Sequence, residues 1–365
     1  MHDESLTSWI NRLARENLCP PYVFSMDTTG YPLFNRDLDR CIPDAAVRKL
    51  SILSQLSLSE LSNLQIPQYY FSGIEKRHTF LHESITLATR IIGFRRTTMW
   101  TQFCPRCLEE SNYYRKHWRY ATVTICPKHA IRLYAYCPQC GQPINFHRIH
   151  ILHSSKAICD KCLLELTSLP SSNPVSPVNV SFAQAFINAI DTQWFRWGSF
   201  DMHSVPFING LFFIIQAVRK KLFFCIDDGC TNNKFAQLST LDIQSRHNLM
   251  EITIQILANW PTTLIELKKQ GFIRQTDFYR NRHNDWPYWL WVIMRTHLNK
   301  GYYWITDTEI ESAIKYLSSH SYKISLGNIG ELLGHDRSFY TNKTKRKLIE
   351  NAARIHPYNK NIFHW

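Results

Sequence analysis

Eight cysteine and histidine side chains recur in pairs: Cys104 and Cys107, Cys126 and His129, Cys137 and Cys140, Cys159 and Cys162, each pair with two residues between its members. Thiolate sulfur and imidazole nitrogen suit a borderline-soft divalent cation, and four of them close a tetrahedral zinc site. Eighteen residues separate the first pair from the second, and eighteen the third from the fourth. That interval falls inside the zinc-ribbon pattern C-x2-C-x15–20-C-x2-C. The expected cofactors are two structural Zn2+ ions, one held by three cysteines with a histidine and one by four cysteines. Two layouts satisfy the spacing. The equal gaps favour tandem ribbons paired in sequence order; a cross-brace joining the first pair to the third also fits.

The surroundings support turns at these pairs. Pro follows the first cysteine in CPRC, CPKH and CPQC, and Gly141 follows the last in CPQCG. Such turns let backbone N–H groups face sulfur. TVTI (122–125) leads into the second pair as a β-rich run. Sites closed by four protein ligands keep no open position for water or substrate, so the metal is expected to fix shape in a segment with too little apolar content to fold alone. The zinc-deaminase pairing of H-x-E with PC-x2-C is missing, as are HExxH, Walker, GxSxG and clustered-acid patterns. A non-enzymatic protein is the expectation. His117, His147, His150 and His153 lack ligand spacing and read as packing residues.

The elements that must carry these pairs come next. The chain has 365 residues, 44% of them hydrophobic, with 17 Tyr, 21 Phe and 11 Trp. That supports two or three folded domains. The longest apolar runs, such as 210–218, fall short of the ~20 residues a membrane span needs. MHDESLTSWI carries early acids and no apolar core, so no secretory signal is expected. A soluble, cytoplasmic protein follows. In a reducing cytosol, 11 cysteines point to metal before disulfides. Cys19, Cys41, Cys225 and Cys230 then remain as plain thiols. The formal charge of +13 favours polyanionic partners, nucleic acid first.

Residues 3–18 read as an amphipathic helix, capped by Asp3, with Leu6, Trp9, Ile10 and Leu13 on one stripe. A second helical region spans 44–66, with Leu50, Leu53, Leu56 and Leu61 available for burial, and a third covers 80–92. The fold class is mainly α with small zinc-ribbon β elements. It comprises an N-terminal helical domain (1–100), tandem ribbons (101–167), a Ser/Pro linker unable to hold a helix (168–181) and a C-terminal helical domain (182–365). In the last, Leu249, Ile252, Ile256 and Trp260 track one face, Pro261 forces a break, and a helix ends near Gly271. The aromatic run 285–293 reads as core.

Residues 324–347 fit a helix-turn-helix in outline: Ile329, Gly330, Leu333 and Gly334 suit the first helix and turn, and Asp336 can cap a second helix from Arg337. Arg337, Tyr340, Asn342 and Lys343 would then face a groove, with Lys345, Arg346 and Lys347 near phosphates. His335 and Lys343 depart from the pattern, where an apolar residue is usual. A plain helical pair with a solvated basic face is the alternative.

Three stretches together resemble one family, the TniQ proteins of Tn-type transposition systems. They are DESLTSWINRLARENL (3–18), the block FCPRC…HWRY…VTICPKH…YCPQCG, and, more weakly, ITIQILANWPTTL (252–264) with DWPYWLWVI (285–293). The resemblance implies an N-terminal helix-turn-helix-like domain used for protein contacts. It also implies a targeting subunit that links site recognition to an AAA+ regulator of TnsC type, which recruits the transposase. One branch rides on a CRISPR Cascade complex with its guide RNA, often as a homodimer. The other, TnsD-like, reads an attachment-site DNA sequence directly and is generally longer. The chain ends soon after one helix-turn-helix-like segment, so the Cascade-associated branch is the nearer expectation.

Overall fold

Ser5 caps the first helix: its hydroxyl accepts from the Ser8 N–H, and α1 runs Leu6–Glu16. In this computed structural model the described residues are 3–35, 37–67, 87, 101–151, 153, 157–170, 175–225, 238–278, 286–298, 305–333 and 343–356. They divide into two compact units, Met1–Ile273 and Arg274–Trp365. The cap falls on Ser5 rather than on Asp3 because Asp3 is engaged elsewhere. Its carboxylate accepts the Tyr113 hydroxyl at 2.6 Å and pairs with Arg115.

In the first unit, α1 is followed by α2 (Pro21–Thr29), α3 (Asp44–Ser54) and α4 (Leu58–Asn63). The expected stripe of α1 does what its spacing requires. Leu6, Trp9 and Ile10 are buried with Leu33, Phe34, Leu38, Ala46, Leu50, Leu61 and Leu64, and Leu13 packs against them. Leu53 departs from expectation and is 62% exposed. The buried stripe of α3 stops at Leu50, and its last turn, ahead of the left-handed Gln55, turns Ile52 and Leu53 to solvent. Apart from Leu87, the helix expected over 80–92 lies outside the described residues.

The paired-ligand block then supplies α5 (Pro105–Glu110) and the hairpin β1 (Ile125–Cys126) with β2 (Ile131–Arg132). Next come α6 (Pro177–Thr192), the hairpin β3 (Trp194–Trp197) with β4 (Phe200–His203), α7 (Ser204–Cys225), α8 (Ile243–Ala258) and α9 (Thr262–Lys269). The start of α6 corrects the reading of 168–181 as unable to hold a helix. Pro177 occupies the first helical position, where a missing N–H costs nothing and the fixed φ is already helical. Phe182, Phe195, Phe200 and Phe207 pack α6, the second hairpin and α7 together, with Phe195 and Phe207 stacked at 3.5 Å. On α8, Leu249 and Ile256 are buried while Ile252 is only half-buried. Pro261 separates α8 from α9. Gly271, at φ 73°, ends α9 as the left-handed residue that a helix C-terminus favours.

The second unit holds α10 (Tyr288–Ile293), continued by a wider turn over Met294–Leu298, then α11 (Asp307–Ser319), α12 (Leu326–Leu332) and α13 (Lys343–Ile355). Thr306 and Glu309 form a reciprocal capping box at α11. Ile305, Ile310, Ala313, Leu317, Ile324, Ile329 and Ile349 make one core among α11, α12 and α13. The aromatic run read as core is less buried than expected. Within its described residues only Leu290 is fully buried, and Tyr288 is 77% exposed. Residues 334–342, and with them Arg337, Tyr340, Asn342 and the expected helix start, lie outside the described residues. Among the described residues the architecture is mainly helical, with two small two-stranded hairpins. Among the described residues no helix is long and apolar enough to cross a membrane.

Candidate metal centres

Cys104 is the N-cap of α5 and Cys107 lies in its first turn, with Pro105 between them at the first helical position. Cys126 ends β1, and the turn joining β1 to β2 carries His129. The ligand atoms of these four residues all lie within 4.8 Å of one another, and so do those of Cys137, Cys140, Cys159 and Cys162. The first pair therefore meets the second, and the third meets the fourth. This is the tandem layout and not the cross-brace.

The geometry tests whether a cation fits. At the first centre, His129 Nδ1 lies 3.4, 3.3 and 3.6 Å from the sulfurs of Cys104, Cys107 and Cys126, and Cys107 and Cys126 are 3.6 Å apart. At the second centre, Cys137 and Cys162 are 3.5 Å apart and Cys140 and Cys159 3.6 Å. A disulfide would bring two sulfurs to ~2.05 Å. A tetrahedron with ~2.3 Å metal–sulfur bonds has edges of about 3.8 Å. The observed separations match the second figure. Thiol charge points the same way. Hydrogen bonds from Cys104 and Cys107 pull Cys126 down to about 3, whereas neighbouring thiols push Cys104 far above the usual thiol range. Thiol and imidazole groups crowded in this way suit a divalent ion, whose ligands bind deprotonated.

Three of the four pairs share one turn. Cys126, Cys137 and Cys159 each accept, at the backbone carbonyl, the N–H of the fourth residue on: Ala130 at 2.9 Å, Gly141 at 2.8 Å and Leu163 at 3.0 Å. All three donor residues are left-handed, at φ 51°, 68° and 61°. Only the glycine adopts that conformation without steric cost. The Cys104 pair differs because α5 continues through it.

Glu110, at the end of α5, escaped sequence reasoning. Its Oε1 accepts His129 Nε2–H at 2.9 Å, and its Oε2 accepts Lys128 Nζ at 2.5 Å. These bonds, Lys128's first, hold Glu110 below the usual carboxylate range. A carboxylate on the far ring nitrogen fixes the tautomer that leaves Nδ1 free for metal. No fixed sequence interval announces such a partner.

Three backbone-donated hydrogen bonds fasten the first centre to residues 3–8. Ser5 N–H donates to Tyr114 O at 3.0 Å, Lys116 N–H to Asp3 O at 2.7 Å, and Tyr114 N–H to the Ser8 hydroxyl at 2.9 Å. Arg119 donates to Asp39 at 2.6 Å and to Asp37 at 2.8 and 3.1 Å. Thr7 donates to Asp39 through N–H and hydroxyl, each at 2.8 Å. Arg119 and Asp39 are 5% and 2% exposed. Burial raises the Asp39 carboxyl, against the pull of Arg119. From the other side, buried Arg246 of α8 donates to Ala121 O at 3.0 Å, and His247 meets the Thr124 hydroxyl at 3.1 Å.

The second centre is held differently. Arg15 of α1 donates to the carbonyls of Ile149 (3.3 Å), His150 (3.2 Å) and His153, while Tyr114 stacks on Phe146 and Phe34 on His147. None of His117, His147, His150 and His153 joins either cluster. Burial lowers His117 and His147 to about 4, as packing residues. Of the expected nucleic-acid contacts, Lys343, Lys345, Arg346 and Lys347 lie on α13, where Arg346 pairs with Glu350 at 2.8 Å.

No curated protein matches the chain. Residues 1–133 match the family model TniQ. The matched stretch takes in α1 to α4 and the whole Cys104–His129 centre, and it ends before Cys137. Thr7, Asp39 and Arg119, which meet in the buried ion cluster, all fall within it. The chain thus carries, over its first 133 residues, a segment similar to the TniQ family.

Proposed function

We propose that the protein is a non-enzymatic targeting adaptor. It links a Cascade–guide RNA complex to a TnsC-type AAA+ regulator, so that DNA is inserted where the guide pairs. The observation that carries this reading is the TniQ match over residues 1–133. Both metal centres are sets of four protein ligands, which supports two structural zinc ions and a docking scaffold over a reactive centre. The working form is a cytoplasmic bacterial protein acting as a homodimer, in contact with target DNA directly or through the complex. Mixing the purified chain with the Cascade complex of its own system and guide RNA is expected to give co-elution on size exclusion. Clean separation from that cognate complex would remove the reading.

One observation favours a second reading, a TnsD-like protein that reads attachment-site DNA directly. α13 carries Lys343, Lys345, Arg346 and Lys347 and packs by Ile349 on the core shared with α11 and α12. Under that reading, affinity for the target site exceeds affinity for random duplex by at least ~10³. A ratio near one, with steep salt dependence, would leave phosphate attraction alone.

A further inference from the structure

We propose that three exposed rings at the C-terminal end of α11 form a stacking platform for the bases of an unpaired nucleic-acid strand. Tyr316 stacks on His320 at 4.2 Å and 28°, and His320 faces Tyr322 at 6.3 Å and 11°. Tyr316 and Tyr322 are 46% and 54% exposed, and His320 is exposed between them.

The ladder is set by the way the helix ends. Ser321 is left-handed at φ 57°, and Tyr322 N–H returns to Leu317 O at 2.8 Å. This is a Schellman closure, which folds the residue after the turn back over the last helical turn. His320 Nδ1–H donates to Tyr316 O at 2.9 Å, and the Ser319 hydroxyl donates to the same carbonyl at 2.9 Å. Those bonds fix the imidazole plane between the two phenol rings. The rings are thus ordered before any ligand arrives, and little side-chain entropy remains to be lost on binding.

Charge selects the occupant. From residue 312 to 330 the sequence holds Lys315 and Lys323 and no acidic residue. Both lysines are exposed, and they adjoin Tyr316 and Tyr322 in the sequence. The unit as a whole, residues 274–365, carries 14 Lys and Arg against 8 Asp and Glu. Flat π faces and ammonium groups suit an alternation of bases and phosphates, and stacking tolerates any base because every base has a π face. Bases inside a duplex are already stacked and paired, so the partner is a single strand. The platform does not depend on the adaptor reading, and its test uses the chain without any partner complex.

The test is fluorescence anisotropy of the full-length protein with labelled 20-mers of oligo-dT and oligo-rU and with a 20-base-pair duplex. The wild type is expected to bind single strand more tightly than duplex. Tyr316→Ala with Tyr322→Ala should weaken single-strand binding about tenfold or more, while the two Phe variants stay within about twofold. The slope of log affinity against log salt should not change in the alanine variant, because no phosphate contact is lost. A preference between dT and rU identifies the strand as DNA or RNA. The proposal is overturned if the wild type fails to bind single strand at micromolar concentration. It is equally overturned if the doubly substituted protein, with an unchanged melting curve, binds as before. Equal loss of duplex binding, or loss of co-elution with Cascade at unchanged oligonucleotide affinity, would make the rings something other than a base platform.

Discussion

Three of the four ligands at the Cys104–His129 centre are buried, whereas the Cys137–Cys162 centre buries two and leaves Cys140 and Cys162 partly open. Their attachments differ as well. The first is tied to residues 3–8 by three backbone-donated hydrogen bonds, to Asp37 and Asp39 by Arg119, and to α8 by Arg246. The second is held by ring stacking and by one arginine on carbonyl oxygens. The family match covers the first and stops short of the second. Similar ligand chemistry therefore serves two ends. One centre knits the N-terminal helices into a unit, and the other shapes a local appendage.

The sharpest way to break that contrast is to remove one ligand from each centre. Cys126→Ser is expected to lose metal binding at the first centre and lower the melting temperature by about 10 °C or more, because the helices docked on that centre loosen with it. Cys162→Ser should lose one ion with a clearly smaller drop, its unfolding confined to the second ribbon. Elemental analysis alongside calorimetry decides, and equal drops would erase the distinction.

Arg119→Ala comes next. It leaves Asp39 buried without its cation, a loss of about 3–5 kcal/mol by urea unfolding. Asp39→Ala combined with it should recover part of that loss, since the stranded charge is gone; an additive double variant would show that the two residues do not act as a pair.

Glu110→Gln tests the tautomer device. It should weaken metal retention at the first centre about ten- to a hundredfold in chelator competition and leave the second centre unchanged. Equal weakening at both centres would place the effect elsewhere.

The smallest effects concern the shared turn. Gly141→Ala is expected to cost about 1 kcal/mol from its left-handed φ alone, as nothing lies within 4 Å of the added carbon. Leu163→Gly should stay within about 0.5 kcal/mol of neutral, relief of strain offsetting the freer unfolded chain. Urea midpoints read both.

The two Cys/His clusters were legible because a chelating turn imposes a fixed interval, and that interval survives in the sequence. The α1 stripe was legible for the same reason, through helical periodicity. What escaped has no interval. Arg119 finds Asp39 across 80 positions, and Glu110 finds His129 across 19. Those meetings exist only once the chain is folded. Two local rules also misled. Serines and prolines over 168–181 signalled a break, yet Pro177 starts a helix, since proline is excluded from helix interiors and not from their first turn. Leucine spacing promised burial for Leu53, but periodicity says which side of a helix is apolar and not how far the core extends along it.

Pairing in chain order has a consequence for biogenesis. Each ion closes a loop whose ligands are all made before the next set begins, so the Cys104–His129 pocket can load while Cys137 is still unsynthesised. Neither loop threads the other. Neither site therefore has to be opened for the other to be filled.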